Sequence, residues 1–437
     1  MKLESIHSSE SALPTGKNLI MNEASPLPKV PSEIHELKVR DYPQVIKYMG
    51  SKAKIIKFVT EGLQEAYRGG AICDLFAGAC TLSGALGHTA PIISNDIQSY
   101  SKVISQVYLH RLSIAAQKLS PLEITERAST IVAKTRKSLP QDLTYPVSPD
   151  LPDFNEIDQQ NRDLINKIFP GKYHLFVKFY SGTWWSAEQC MWIDALREAT
   201  DQILYEGRIN QGDHGFILTC IMHAMAYCGQ GTGHYAQYRD AKTTSSLADI
   251  NLYRQKSIAE HFARKFVALK AWNTANVSTQ ANHQMLSMDY VDCLKQLSGG
   301  TVYADPPYAF VHYSRFYHAI ETFVLYDYPD LQIKGGAIVK GRYRDNRHQS
   351  PFSIRSQVPE AFTALFKGVE GSGSNLVLSY SNSGLFKLSE MFELAQDCIG
   401  KYYEISALTT DHTHMTMGRR EDRDREVEEA LLVAVRK

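Results

Sequence analysis

Apolar positions along this chain change their period twice. From Ala53 to about Tyr67, Ile55, Ile56, Val59 and Leu63 recur on one side of a 3.6-residue repeat and predict a helix. The run Ala71-Ile72-Cys73-Asp74-Leu75-Phe76 then reads as a buried strand, followed by the small-residue segment Ala77 to Gly84. A second short strand, Pro91 to Ser94, ends at Asn95-Asp96. Residues 97 to about 280 are dominated by apolar helical stretches, such as Ser186 to Tyr205 and Gly215 to Tyr227. Strand signals return at Gln284–Met288, Thr301–Ala304, Asn375–Tyr380, Tyr402–Leu408 and Ala430–Val435. Two early strands and five late ones, with helical stretches between them, predict an open, seven-stranded, mostly parallel α/β sheet with helices on both faces and a mostly helical insertion. Drawn as domains, the expectation is a flexible N-terminal tail over 1–38, a first part of the sheet domain over 39–115, the helical insertion over 116–280, and the rest of the sheet domain over 281–437.

Composition adds little beyond solubility. The chain has 437 residues, 43% hydrophobic and 22% charged, with 47 basic and 47 acidic side chains and no formal net charge. A neutral chain gives no overall support for binding nucleic acid, so any such surface has to be local. Seven cysteines, without CxxC pairs, fit a reducing cytosol and argue against a zinc site. No stretch is long and apolar enough to span a bilayer, and the first residues lack the apolar core of a signal peptide, so a cytoplasmic protein is expected.

The chemistry concentrates at strand ends. Thr301-Val302-Tyr303-Ala304 leads into Asp305-Pro306-Pro307-Tyr308. Two prolines fix the backbone and donate no N–H, so the corner offers acceptors, the Asp305 carboxylate and the Pro306 carbonyl, beside the flat ring of Tyr308. A planar base with an exocyclic amine suits such a corner; a plain β-turn is the other reading. The first strand runs into a loop containing Phe76 and Gly78, and the next strand ends at Asp96, roughly twenty residues on, as in nucleotide-binding βαβ units, where the acid accepts from ribose hydroxyls. Before them, Tyr48 and Lys52 in Lys47-Tyr48-Met49-Gly50-Ser51-Lys52 offer an aromatic face and an ammonium. Asp289 closes another strand and reads as an acceptor for an adenine amine, as the N-cap of the following helix, or as both.

Three stretches suit a polyanion. Phe310 to His318 mixes aromatics with Arg315, and Tyr313 is placed to stack. Lys340-Gly341-Arg342-Tyr343-Arg344-Asp345-Asn346-Arg347-His348 sets Lys340, Arg342, Arg344 and Arg347 against one acid. The glycine-rich loop from Gly229 to Arg239 is a candidate for probing a groove, with Arg239 at its end. Ser379 to Leu385 reads either as pocket lining or as an ordinary polar loop.

Taken in order, Tyr-Met-Gly-Ser-Lys, Asp-Leu-Phe-Ala-Gly, Asn-Asp, a long insertion, Asp289 and Asp-Pro-Pro-Tyr resemble the Dam-type (alpha group) DNA adenine-N6 methyltransferases over residues 45 to 435. The resemblance implies a Rossmann-like methyltransferase sheet, S-adenosylmethionine as cofactor, double-stranded DNA as partner and target recognition in the insertion. It implies cofactor contacts from Tyr48 and Lys52, from Asp74, Phe76 and Gly78 at the methionine end, from Asp96 at the ribose and from Asp289 at the adenine. Asp305, Pro306, Pro307 and Tyr308 would hold the target amine, with Asp305 also beside the cofactor and no metal required. Companion restriction or defence proteins are implied as partners. One departure is Cys80, which stands where the family's loop carries a second glycine, and whose side chain would crowd a cofactor if it faced one. Cytosine-N4 methylation is the nearest rival reading, and a non-catalytic DNA-binding relative, with Cys80 blocking the cofactor, is another.

Overall fold

Alternation along each strand decides which face a side chain joins, and here it separates two apolar layers. The computed structural model describes residues 36–437 apart from 140–141, 232, 279–281, 308–309, 311, 382–383 and 416–423, and gives the backbone alone at 410–415 and 424–428. Strands β1 (Ile72–Asp74), β2 (Ile92–Asp96), β3 (Gln284–Ser287) and β4 (Thr301–Ala304) lie where the sequence places them. A ribbon of β5 (Ile333–Lys334) and β6 (Ala337–Ile338) follows, then β7 (Asn375–Ser381), β8 (Tyr403–Met415) and β9 (Asp424–Arg436). The main sheet has seven strands in the order β3-β2-β1-β4-β7-β9-β8. β3, β2, β1, β4 and β7 pair in parallel, while β9 enters antiparallel to β7 and β8 antiparallel to β9. The expected seven-stranded, mostly parallel sheet is therefore present.

Residues of one parity, Ile72, Tyr303, Val377, Leu431 and Val433, join one buried layer with helix Ile56–Ala66. The other parity, Cys73, Leu75, Val302, Leu376, Leu378 and Leu432, faces helices Tyr290–Gln296 and Val358–Ser372. Helix Ile56–Ala66 can lie this close to the sheet because residue 62 is glycine; a Cβ there would meet Leu431 Cδ1 at 2.7 Å. Between β2 and β3 every element among the described residues is a helix. These helices share the first layer's core, with Trp184, Trp185 and Ile221 buried in one cluster with Tyr303 and Val377.

The differences from expectation are local. The helix expected from Ala53 opens with a separate tight turn, Lys52–Lys54, and becomes α-helical at Ile56, which lets Lys52 turn inward. β8 and β9 run past the apolar runs that signalled them, because an antiparallel hairpin can continue its ladder with polar residues once it leaves the core. Most of the expected tail, residues 1–35, lies outside the described residues; Leu37 is buried and its N–H donates to Gln64 Oε1 at 2.7 Å.

Asn375 ties the far edge together. Its amide donates to Ala66 O at 2.6 Å, at the end of helix Ile56–Ala66, and its side-chain oxygen accepts from Arg436 N at 2.9 Å, near the end of β9. Asn375→Ala strands one buried and one partly buried backbone group, and a loss of about 2 kcal/mol is expected, read as a lower urea midpoint at unchanged m-value.

Candidate active site

The sheet's strand order reverses between β1 and β4, and in open α/β sheets the crevice outside the carboxyl ends of such strands is the ligand position. Both chemistry-bearing loops leave there, the glycine loop after β1 and the Asp-Pro-Pro corner after β4. Between them lies a cleft with about 1160 Å³ of space, its open mouth included, lined by Tyr48, Asp74, Phe76, Gly78, Asp96, Asp289, Asp305 and the two prolines among others. The alternation that builds the apolar layer also places the polar groups. Ile72 is followed on its face by Asp74, Tyr303 by Asp305, and Val377 by Ser379; on antiparallel β9 the row Val433, Leu431 ends at Glu429, opposite Ser381.

The glycine loop is braced from beneath. Asp96 Oδ2 accepts from Gly78 N at 2.9 Å, and Oδ1 accepts from Gln98 N at 2.9 Å. A carboxylate has about four acceptor positions, so these bonds leave others toward the cleft. Burial raises the Asp96 pKa to about 6 against the pull of the Gln98 and Gly78 N–H groups. Asn95, buried below, links Leu75 O and Met288 O through one amide, which fixes the ends of β1 and β3 relative to each other. Gly78 has φ +50°, and a Cβ there would meet the Tyr48 ring at 2.9 Å. Tyr48 itself stacks on Tyr317 (4.5 Å, 16°) and Tyr313 (5.5 Å, 20°), so its face is held rigidly over the loop.

Cys80 resolves the concern raised by the missing second glycine. It adopts the left-handed conformation, φ 59°, that a glycine would occupy at little cost. Its side chain is fully buried, and its thiol donates to Ser101 O at 3.2 Å, on the helix behind the loop. The sulfur is thus turned away from the cleft, which Gly78, Ala79 and Thr81 line instead.

At the other loop, Lys52 is the organising group. Its ammonium lies 3.2 Å from Asp305 Oδ1 and 3.3 Å from Glu429 Oε1, with side-chain exposures of 6% for Lys52, 18% for Asp305 and 1% for Glu429. Ser379 Oγ also bonds Glu429 Oε2 at 3.4 Å. Burial raises the Asp305 pKa to about 6, Lys52 opposing and Glu429 adding to the rise. Asp74 is pushed well above the usual carboxylate range, by burial first and then by Asp305 and Asp96. The cleft's carboxylates exceed what one lysine balances, so a cationic ligand would relieve it.

The remaining candidates fall into place around this centre. Phe76 packs on Tyr290 at 5.6 Å and edge-on to Phe352 at 5.5 Å, making an apolar wall. Asp289 caps helix Tyr290–Gln296, accepting from Val291 N at 2.8 Å, and lines the cleft as well, so its two readings are compatible. Tyr308 lies outside the described residues, as do residues 382–383 of the Ser379–Leu385 segment. Glu429 and Phe352 were missed by motif reasoning, for Glu429 the available signal being an acid directly before an apolar strand, whereas Tyr317 falls in the Phe310–His318 stretch and is buried against Tyr48.

The basic candidates separate sharply. Lys340 pairs with Asp240 at 2.5 Å, Arg344 with Asp327 at 2.6 Å, and Arg239 with Asp249 at 2.6 Å, all in pairs that remain partly exposed. Arg342 is half-buried, with burial lowering its pKa. The Gly229–Arg239 loop is anchored at Gln230, Tyr235 and Tyr238 and leaves Arg239 partly exposed. Tyr235 N donates to Phe316 O at 2.7 Å, Gln230 N to Trp184 O at 3.0 Å, and Tyr235 and Tyr238 are buried, so the loop is a strut behind the Asp-Pro-Pro segment.

Comparisons with known proteins agree with the motif reading. Residues 48–161 match the family model described as D12 class N6 adenine-specific DNA methyltransferase. Modification methylase LlaI of Lactococcus lactis subsp. lactis is 22% identical over 355 residues, covering 80% of this chain and 48% of that protein. Type II methyltransferase M.FokI of Planomicrobium okeanokoites is 20% identical, over 79% of this chain and 46% of its own length. Type II methyltransferase M.NlaIII of Neisseria lactamica is 21% identical, over 82% of this chain and 89% of its own. The chain thus spans about half the length of the first two relatives, and the resemblance to adenine-N6 DNA methyltransferases is borne out.

The Lys52 arrangement makes a stability prediction independent of any reaction. Glu429→Ala leaves a buried ammonium short of one partner, and a loss of about 3 kcal/mol is expected. Glu429→Gln, which keeps the acceptor oxygen, should lose less. Equal midpoints for the alanine variant and the unaltered protein in urea denaturation would show that the contact carries no weight.

Proposed function

We propose that this chain transfers a methyl group from S-adenosylmethionine to the exocyclic N6 amine of adenine in double-stranded DNA, taking the target base out of the duplex. The carrying observation is that Asp305 and the glycine loop open onto one cleft at the sheet's reversal point. The cleft's chemistry suits this cofactor. Asp74 and Asp96, whose ionised forms burial disfavours until a cation is near, suit a ligand that is cationic at its ammonium and sulfonium, the Tyr48 face offers cation–π attraction, and a Cβ at Gly78 would close the cradle. Asp96 would hold the ribose, Asp289 the adenine amine, and Phe76 the apolar flank. When bound, S-adenosylmethionine supplies a sulfonium methyl group.

The protein's own part is orientation and charge. An adenine amine is a poor nucleophile because its lone pair is delocalised into the ring. Accepting its two N–H groups at the Asp305 carboxylate and the Pro306 carbonyl favours a pyramidal nitrogen whose lone pair is available. The same acceptors stabilise positive charge as it develops on nitrogen, in a site shielded from water. Lys52 fixes the Asp305 carboxylate in place and in its ionised form; Glu429 fixes Lys52. No covalent intermediate is needed, and Cys80 faces away. Drawing the base from the stack costs a few kcal/mol, which stacking on Tyr308 and Tyr313 would offset. The relatives' names extend the reading to a modification enzyme acting beside a companion restriction activity. A cytoplasmic setting fits: among the described residues no helix is long and apolar enough to cross a membrane, and the cysteines form no disulfides.

Methyl transfer from labelled S-adenosylmethionine to unmethylated duplex DNA, with the product nucleoside identified by mass spectrometry, tests the reading. N6-methyladenine is expected; N4-methylcytosine would change the base, and no label in DNA would sink the proposal. Asp305→Ala should abolish transfer and leave cofactor binding nearly intact. The reaction needs Asp305 ionised, so kcat/KM should rise with pH through about 6. Stability runs the other way. The folded pKa of about 6 lies above the ordinary 3.8, so the contribution of Asp305 is present below 3.8 and lost as pH rises through 6. A kcat/KM that is flat across about one unit either side of that pKa would contradict the role given to Asp305.

A further inference from the structure

Lys340, Arg344 and Arg239 each pair with an acid, and two further basic side chains share one aromatic platform. Arg315 and Arg347 both lie over the ring of Tyr343, each 5.1 Å from its centroid. Arg315 Nε also donates to the Tyr343 hydroxyl oxygen at 2.9 Å, and that hydroxyl donates to Ala236 O on the strut loop. Tyr343 is buried, so the platform is rigid. Among the described residues no carboxylate comes within 4.0 Å of either guanidinium, and Arg347 Nε has no hydrogen-bond partner.

We propose that Arg315 and Arg347, held on Tyr343 at the mouth of the cleft, form the binding site for a backbone phosphate of the DNA strand carrying the target base. The inference rests on the reading of duplex DNA as substrate. Position supports it. Arg315 follows Ser314 and Arg347 precedes His348; the Ser314 hydroxyl donates to His348 O, and both residues line the cleft beside the Asp305 corner. Charge supports it as well. Burial and then Arg315 push the Arg347 pKa down, and burial followed by Arg347 and Arg315 lowers that of His312. Asp345 opposes the Arg347 shift only in part, so two like charges gathered on one ring remain a cost to the folded protein, and a bound phosphate would lower it. A guanidinium also suits phosphate geometry, donating in parallel pairs, and stacking on a ring restricts it before the ligand arrives. The bland reading is that both arginines merely pack on Tyr343; it predicts no effect on the salt dependence of DNA binding.

The test is binding of the full chain to a fluorescein-labelled, unmethylated duplex of mixed sequence, followed by anisotropy across a salt series. Each phosphate contact contributes about 0.9 to the slope of log K against log salt. Arg315→Gln and Arg347→Gln should each shallow the slope by about that amount, while Lys340→Gln should leave it unchanged and S-adenosylmethionine binding should be unaffected in all three. Lysine at either position keeps the charge and the packing but loses the paired donation. These variants keep the test open should the glutamine variants unfold, and they are expected to hold the slope while losing affinity about tenfold, the effect of one charge-assisted bond. Wild-type binding with unchanged slopes in both glutamine variants, or lysine variants that bind as wild type, overturns this site alone. Failure of the wild type to bind duplex DNA overturns the site and the substrate reading together.

Discussion

One ammonium, that of Lys52, stands between carboxylates delivered by two strands far apart in sequence. Glu429 comes from β9 and Asp305 from the end of β4, and Asp74 lies on the same face at the end of β1. Leaving a charge unpaired in such a place is expensive, so the tight turn at Lys52–Lys54, the end of β4 and the start of the buried part of β9 have to be registered together. The sheet's alternation makes that registration cheap to specify. A one-residue slip of β9 would send Glu429 into the opposite layer, among Phe362 and Leu365, and bring Ala430 to Lys52. The same constraint that stabilises the fold therefore aims Asp305.

The helices between β2 and β3 serve this centre from behind. Glu321 accepts from Ser99 N and Tyr100 N at 3.0 Å each, fixing the start of the helix behind the glycine loop from the segment after the Asp-Pro-Pro corner. His318 is buried, its pKa lowered to about 3 chiefly by burial, and pairs with Tyr235 O at 2.9 Å. Arg197 donates to Phe323 O at 2.6 Å, and Arg197 also pairs with Asp201 at 2.9 Å. The insertion thus grips both loops of the cleft through their following elements, which is how a long helical segment can set the distance between a glycine loop and an acidic corner without lining either.

What was legible in the sequence is what has local cause. Asp305 is announced by two prolines, Gly78 by the strand before it, Asp96 by its spacing, and the seven strands by their apolar runs. What was not legible depends on partners distant in sequence. Glu429 reads as one acid in an acidic run until β9 is laid against β7. Lys340 and Arg344 read as a basic patch until Asp240 and Asp327 are brought to them. The ribbon of β5 and β6 escaped notice because two residues on each side of a Gly-Gly turn make no periodic signal. Cys80 is the intermediate case: its departure from the family's loop was visible, and the direction of its side chain was not. A left-handed backbone at φ 59° turns Cβ away from the cleft, so the strain of a non-glycine there is borne by the loop rather than by the ligand.

The distribution of charge follows from the same packing. The chain is neutral overall, yet Asp74, Asp96, Asp289 and Asp305 gather in the cleft, while Arg315 and Arg347 share the ring of Tyr343 beside the cleft-lining Ser314 and His348. Pairing Lys340, Arg344 and Arg239 with nearby acids lowers the positive potential they spread. On the proposed reaction this polarity separates two ligands of opposite sign. A cationic cofactor would be drawn to the floor and a polyanion to the rim. A uniformly basic cleft would attract DNA more strongly, but it would repel the sulfonium and hold Asp305 in ion pairs with the wrong partners. Local neutralisation is thus what allows one mouth to admit both.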